Sequence, residues 1–178
     1  MMRALVATAV TLAMFCAPPA MAADPRAQDA VDLFIDACVT DVLGLRPRVT
    51  DPSRITSRQT TDFALQGGGL RTSPVYEFVF KSTRAKVFTS RSRSVCTAWV
   101  GHAEEADMLA AFERAVQRAA AEAQATLEPQ AADGRRCARV WVLRSPKAKL
   151  VLSLAASLPA FGVQHVMVSA PAPEGARP

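Results

Sequence analysis

Residues 103–127 read AEEADMLAAFERAVQRAAAEAQATL, and this stretch separates two groups of predicted strands. Apolar side chains recur in it at helical spacing, as at Met108, Phe112 and Val116. Acidic residues crowd its first turn and Pro129 follows its last, which is typical of the two ends of a helix. The pattern predicts one long helix over residues 103–127.

A shorter helix is predicted near the start of the chain, at residues 25–43. Asp24 and Pro25 supply an N-cap side chain and a proline at the first helical position, and Gly44 suits the C-terminal end. An apolar stripe that includes Cys38 predicts the buried side of this helix. The row predicted to face solvent consists of Asp29, Asp32 and Asp36.

Alternating or continuous apolar runs predict six strands, three before the long helix and three after it. The runs are residues 75–80, 86–89, 95–100, 138–143, 150–155 and 163–169. Connections within each group are too short for parallel crossovers, so the strands should pair antiparallel. Residues 46–74 are rich in Pro, Gly, Arg and Ser and are predicted to be mostly loop, with room for one short strand at 61–65.

Together these elements predict a single α+β domain over residues 23–170. In the order αβββαβββ, an antiparallel sheet of about six strands is covered on one face by two helices, which gives a two-layer domain. Residues 171–178 are rich in proline and are predicted to form a disordered tail.

The first 22 residues have the pattern of a secretory signal peptide. Arg3 precedes an uncharged apolar run over residues 4–17, and Ala20-Met21-Ala22 forms a small-x-small cleavage site. Cys16 offers the alternative of a lipid-modified N-terminus, which the large residue directly before it disfavours. We therefore expect cleavage before Ala23, a periplasmic or secreted location, and no transmembrane segment in the mature chain.

Signal cleavage would leave three cysteines, Cys38, Cys96 and Cys137, in an oxidising compartment. An odd number predicts one disulfide and one free thiol, and any of three pairings satisfies the count. Cys38 lies on the buried stripe of the first helix, and Cys96 lies in a strand that is apolar on both faces. Cys137 alternates onto the same strand face as Arg139 and is expected to be more exposed. The favoured pairing is Cys38 with Cys96, with Cys137 as the free thiol.

Charge is sorted along the sequence. Residues 24–45 carry five acidic and one basic side chain, and residues 94–128 carry six acidic and two basic ones. Residues 46–93 carry ten basic and three acidic side chains, and residues 129–149 carry six and one. If both helices cover one face of the sheet, the opposite face should be basic and should attract anions. The arginines predicted for this anion-binding face are Arg91, Arg93, Arg139 and Arg144.

No constellation of side chains predicts a catalytic, cofactor-binding or metal site. Gly67-Gly68-Gly69 lacks the Lys-Ser/Thr of a phosphate-binding loop and is interpreted as a flexible turn. His102 with Glu105 has metal-ligand spacing without further ligands nearby, and is interpreted as a surface or capping pair. His165 and Met167 share one side of a strand and are interpreted as packing residues rather than a soft-metal site.

The favoured function is that of an exported, non-enzymatic binding or accessory module whose basic sheet face meets an anionic envelope component or an acidic protein. Export and the lack of aromatic residues among the basic ones disfavour nucleic acid as the partner. One alternative is a thiol-dependent enzyme in which Cys137 is the nucleophile and His165 its base. Another is a structural or assembly protein that dimerises through Cys137. No cofactor is expected in any of these functions.

Overall fold

A computed structural model describes residues 23–60, 74–92, 94–101, 103–131, 137–158 and 163–172. The predicted signal peptide at 1–22 and the predicted short strand at 61–65 lie outside these residues. So does the predicted tail beyond residue 172.

The first helix spans Pro25–Leu43 in three parts. Helix α1 is Pro25–Ile35, a π-helical turn follows at Asp36–Thr40, and α2 is Asp41–Leu43. The Asp24 carboxylate accepts a hydrogen bond of 2.9 Å from the backbone N–H of Arg26, and so caps α1. Gly44 ends the segment with a φ of 68°, and a Cβ there would clash with Lys147 Nζ. The helix predicted over residues 25–43 is therefore confirmed at both ends.

We expect Asp24→Ala to lower the free energy of unfolding by about 1 kcal/mol at neutral pH, because the substitution removes the N-cap acceptor. The Arg26 guanidinium beside Asp24 lowers the pKa of this carboxyl below 3.8. Since the carboxylate is stabilised in the folded state, its contribution is present above pH 3.8 and is lost as pH falls through the folded-state pKa. Urea unfolding across this range should bring the variant and the parent together at acidic pH. A gap that persists in acid would contradict the capping role, and exposed Asp41→Ala is the control.

Within the described ranges, eight strands form one sheet in the order β1-β2-β3-β4-β8-β7-β6-β5, and every neighbouring pair is antiparallel. The strands are β1 Ile55–Thr60, β2 Val75–Phe80, β3 Lys86–Ser92, β4 Val95–Val100, β5 Thr126–Gln130, β6 Cys137–Arg144, β7 Lys149–Leu158 and β8 Val163–Pro171. A third helix, α3, spans Glu105–Glu122 between β4 and β5. The α+β class and the antiparallel sheet are confirmed, and the six predicted runs all fall within strands.

The predicted count of six strands is wrong because both edge strands were missed. The long helix ends at Glu122 rather than at residue 127, and Gln124 adopts a φ of 50° that turns the chain into β5. Pro129 lies within β5, where an edge strand tolerates a residue without an N–H donor. The other edge, β1, is formed by the polar run ITSRQT inside the predicted loop.

The chain is built as two successive units, each a helix followed by a four-stranded meander. β4 and β8, the last strands of the two units, pair at the centre of the sheet. A two-fold rotation about the centre of the sheet would therefore exchange the two units in the strand order, β1 with β5 and β4 with β8.

The first helix, Pro25–Leu43, and α3 contact the same face of the sheet. Cys38 in the π-helical turn joins Cys96 of β4, and Glu113 of α3 pairs with Arg139 of β6. Arg139 is in register with Leu154, Met167 and Ala98 across the neighbouring strands. Ala98 and Cys96 are two residues apart in β4, so Arg139 shares a face with Cys96. We call this the helix face and its reverse the open face. The main core lies between the helices and the helix face.

The Cys38–Cys96 disulfide matches the pairing favoured from the sequence. The two Cα atoms are 5.4 Å apart, and both residues are buried. Cys137 is the first residue of β6, and its register partner is Ala155. Its predicted free thiol is not among the described side chains.

Candidate functional site

The four arginines predicted to form one anion-binding face do not share a face. Arg91 donates a hydrogen bond to the carbonyl oxygen of Ala37, and Arg139 pairs with Glu113, so both lie on the helix face. Arg144 lies on the open face, where its Nε is 3.1 Å from Glu128 Oε1. Arg93 lies outside the described residues. The predicted placement is therefore wrong, because strand alternation sends Arg139 and Arg144 to opposite sides; anion binding itself stays a prediction.

The aspartate row of α1 was predicted to face solvent, and this prediction is also wrong. Asp29 Oδ2 accepts a hydrogen bond of 2.7 Å from Thr83 Oγ1. Asp36, at the start of the π-helical turn, accepts the backbone N–H groups of Arg48 and Val49 at 2.8 and 2.7 Å. These carboxylates hold the following loop and turn against the helix, a role that sequence periodicity alone does not distinguish from solvation.

A cleft lies where the loop after α2 meets the last turns of α3. Its volume is about 450 Å³, and its lining residues are Gly44, Leu45, Arg46, Pro47, Arg48, Arg118 and Glu122. A second cavity of about 240 Å³ shares Gly44, Leu45 and Glu122 with it and extends to Lys147. We call the two together the helix-end cleft.

Local chemistry explains why Arg48 lies in this cleft. The positive φ of Gly44 turns the chain back along the helix, and Pro47 stiffens the loop that follows. The Asp36 carboxylate then fixes the backbone of Arg48 with bonds of 2.8 and 2.9 Å. Asp36 is therefore a positioning residue for the cleft.

The Arg48 side chain is only 9% exposed and lies between the two helices. Its Nη1 is 3.6 Å from Asp32 Oδ1 of α1, and its Nη2 donates to the carbonyl oxygen of Ala115 in α3 at 3.3 Å. Among the described residues, its Nε and Nη1 have no hydrogen-bond acceptor. Since these two nitrogens are buried, Arg48 contributes its positive charge to the cleft, whereas direct ligand contacts fall to exposed neighbours.

Those exposed neighbours give the cleft a positive balance. Arg46, Arg118 and Lys147 are exposed, and Glu122 is the one carboxylate among the lining residues. The cleft lies at the C-terminal ends of α2 and α3, whose partial negative charge these cationic side chains offset. Arg48 is balanced by Asp32, and the three exposed cations Arg46, Arg118 and Lys147 outnumber Glu122, so the surface of the cleft attracts anions.

The predicted thiol–histidine pair is only partly described. His165 is buried on the helix face, and its Nε2 donates to the carbonyl oxygen of Ala103 at 2.9 Å. Cys137 and His165 have Ala155 and Ala156 of β7 as register partners, which are adjacent in sequence. The thiol-enzyme hypothesis and the Cys137 dimer both stay predictions.

The remaining motifs give no described site. Met167 is fully buried in the main core, consistent with packing. Within the described ranges, His, Cys, Asp and Glu side chains form no group of three or more that could hold a metal ion. His102 and Gly67-Gly68-Gly69 lie outside those ranges. Across the same ranges, none of the helices has the length and apolar character needed to cross a membrane.

Comparison of the chain with protein-family models, with curated proteins and with solved structures finds no match.

Proposed function

We propose that this protein is an exported, non-enzymatic binding or accessory module for an anionic partner, and that the helix-end cleft is its binding site. The partner is an anionic component of the envelope or an acidic protein, as the charge distribution of the sequence suggests. The observation that carries the proposal is the convergence of Arg46, Arg48 and Arg118 on one cleft.

The arrangement of these arginines supports recognition rather than simple solvation. Arg48 is held in place by Asp32, Asp36 and the Ala115 carbonyl oxygen, so its charge is fixed before a ligand arrives. Arg46 and Arg118 come from different elements and reach solvent on the same cleft. A prepositioned charge with exposed guanidinium groups beside it is suited to carboxylate, phosphate or sulfate groups.

The test measures binding of two polymeric anions, polyglutamate and dextran sulfate, to the mature protein at low and high salt. We expect Arg46→Glu combined with Arg118→Glu to weaken binding by at least about ten-fold, equivalent to ~1.4 kcal/mol, because both reversals put negative charge at the cleft. Binding of the parent should weaken as salt screens the interaction. The probe that binds more tightly distinguishes an acidic polypeptide from a sulfated polymer as the better mimic of the partner.

A matched control changes net charge equally at a distance from the cleft. Lys81→Glu combined with Lys86→Glu reverses two exposed bases at the β2–β3 turn that do not line the cleft. This control should retain most of the binding. Equal losses in the two double variants, or no binding of either polymer at low salt, would overturn the proposal.

A further inference from the structure

A third cavity lies on the helix face, away from the helix-end cleft. Its volume is about 380 Å³, and it opens between the π-helical turn and strands β2 and β3. Its lining residues are Ala37, Pro74, Tyr76, Phe78, Thr89, Ser90, Arg91 and Cys96. We call it the Tyr76 groove. Its size is within the range of small-molecule sites.

The walls of the Tyr76 groove are mostly apolar. Phe78 is half-buried, Tyr76 is 41% exposed, and Cys96 presents one end of the disulfide. No carboxylate is among the lining residues. When a ligand covers apolar surface of this kind and excludes water from it, the free energy of the complex falls.

Arg91 supplies the one charge among these lining residues. Its Nη2 donates to the carbonyl oxygen of Ala37 in the π-helical turn, which holds the guanidinium at the rim. Among the described residues this is its one hydrogen bond, and no carboxylate pairs with it. A guanidinium has five N–H donors, so most of them are available to an incoming anion.

We propose that the Tyr76 groove binds an amphiphile with a single carboxylate, such as a medium-chain fatty acid. The apolar chain would lie along Phe78, Tyr76 and Pro74, and the carboxylate would pair with Arg91. Charge complementarity decides the polarity of the ligand, because the described lining residues include one cation without a carboxylate partner and no anion. The site is separate from the helix-end cleft, since the two share no lining residue.

Ligand binding in the groove can be followed at Tyr76, because Tyr76 is the one tyrosine of the sequence. Incorporation of 3-fluorotyrosine would give a single ¹⁹F resonance from the groove. Dodecanoate, kept below its micelle concentration, should shift this resonance saturably. Acetate, which has the head group alone, and dodecyltrimethylammonium, which has the opposite charge, should not.

Variants test the two halves of the groove separately. Arg91→Gln should weaken dodecanoate binding by about ten-fold or more, because it removes a charge-assisted hydrogen bond. Ala37→Leu should also weaken it, by filling the groove while keeping Arg91. Lys86→Gln is the control, since it removes an exposed charge from the same strand on the open face.

Three results would overturn the inference. One is the absence of a saturable shift when dodecanoate is added to the parent protein, a measurement that does not depend on the folding of any variant. The second is an equal response to dodecyltrimethylammonium, and the third is an equal loss in Arg91→Gln and Lys86→Gln. The double variant of Arg46 and Arg118 should bind dodecanoate like the parent, which keeps this test independent of the proposed function.

Discussion

Replacing both Cys38 and Cys96 with alanine is expected to lower the free energy of unfolding by about 4 kcal/mol. The disulfide closes a loop across a sequence separation of 58 residues, and a cross-link of this span removes about that much loop entropy from the unfolded chain in the chain-entropy model. The bond also joins the π-helical turn to the centre of the sheet, so its loss should loosen the first helix. Urea unfolding of the oxidised parent and the double variant measures the difference.

Reduction provides the control for this prediction. The parent unfolded in the presence of a thiol reductant should match the double variant, whereas the double variant should not respond to the reductant. A difference between parent and variant below about 1 kcal/mol would show that the pairing contributes little to stability. A further loss in the reduced double variant would indicate that Cys137 takes part in another disulfide.

Phe112→Ala should destabilise the protein by about 3–5 kcal/mol, because it leaves a cavity in the centre of the core. Phe112 of α3 and Phe34 of α1 are both fully buried, and their ring centroids lie 6.1 Å apart. This contact joins the two helices, which otherwise belong to different units of the topology. The measurement is the midpoint of urea unfolding together with its slope.

A double-mutant cycle isolates the contact between the two rings. Phe34→Ala and Phe112→Ala should be coupled by about 1 kcal/mol, the range found for buried aromatic pairs. Val42→Ala, at an exposed apolar position, should change stability by no more than about 0.5 kcal/mol. Additive effects of the two phenylalanine variants would contradict a direct contact between the Phe34 and Phe112 rings.

Local sequence patterns predict a helix or strand of this fold well where the spacing of apolar side chains and the capping or turn residues indicate the same boundaries. The alternation in Val75–Phe80 predicts both ends of β2 correctly, and Asp24 and Gly44 mark the ends of the first helix. The patterns fail at β5, because the alanine-rich sequence continues the helical periodicity beyond Glu122. There the turn at Gln124 and the pairing with β6 override local propensity.

The candidate sites depend on tertiary contacts that local patterns do not contain. Arg118 belongs to no site predicted from the sequence, and only the packing of α1 against α3 brings it beside Arg46. Asp36 shows why: its spacing suits a solvent face, yet it accepts hydrogen bonds from a loop twelve residues later. Charge along the sequence predicts how much positive surface exists, but chain crossings decide where it concentrates.

The position of the disulfide within the first unit affects the order in which the thiols become available. Cys38 and Cys96 both lie before residue 101, whereas Cys137 belongs to the second unit. A chain that emerges amino end first, from the ribosome or through a membrane channel, therefore presents the two bonded thiols while Cys137 is still inside. Units that emerge first tend to fold first. The Cys38–Cys96 bond can thus form before Cys137 is available to pair with either cysteine, and no later disulfide exchange is required.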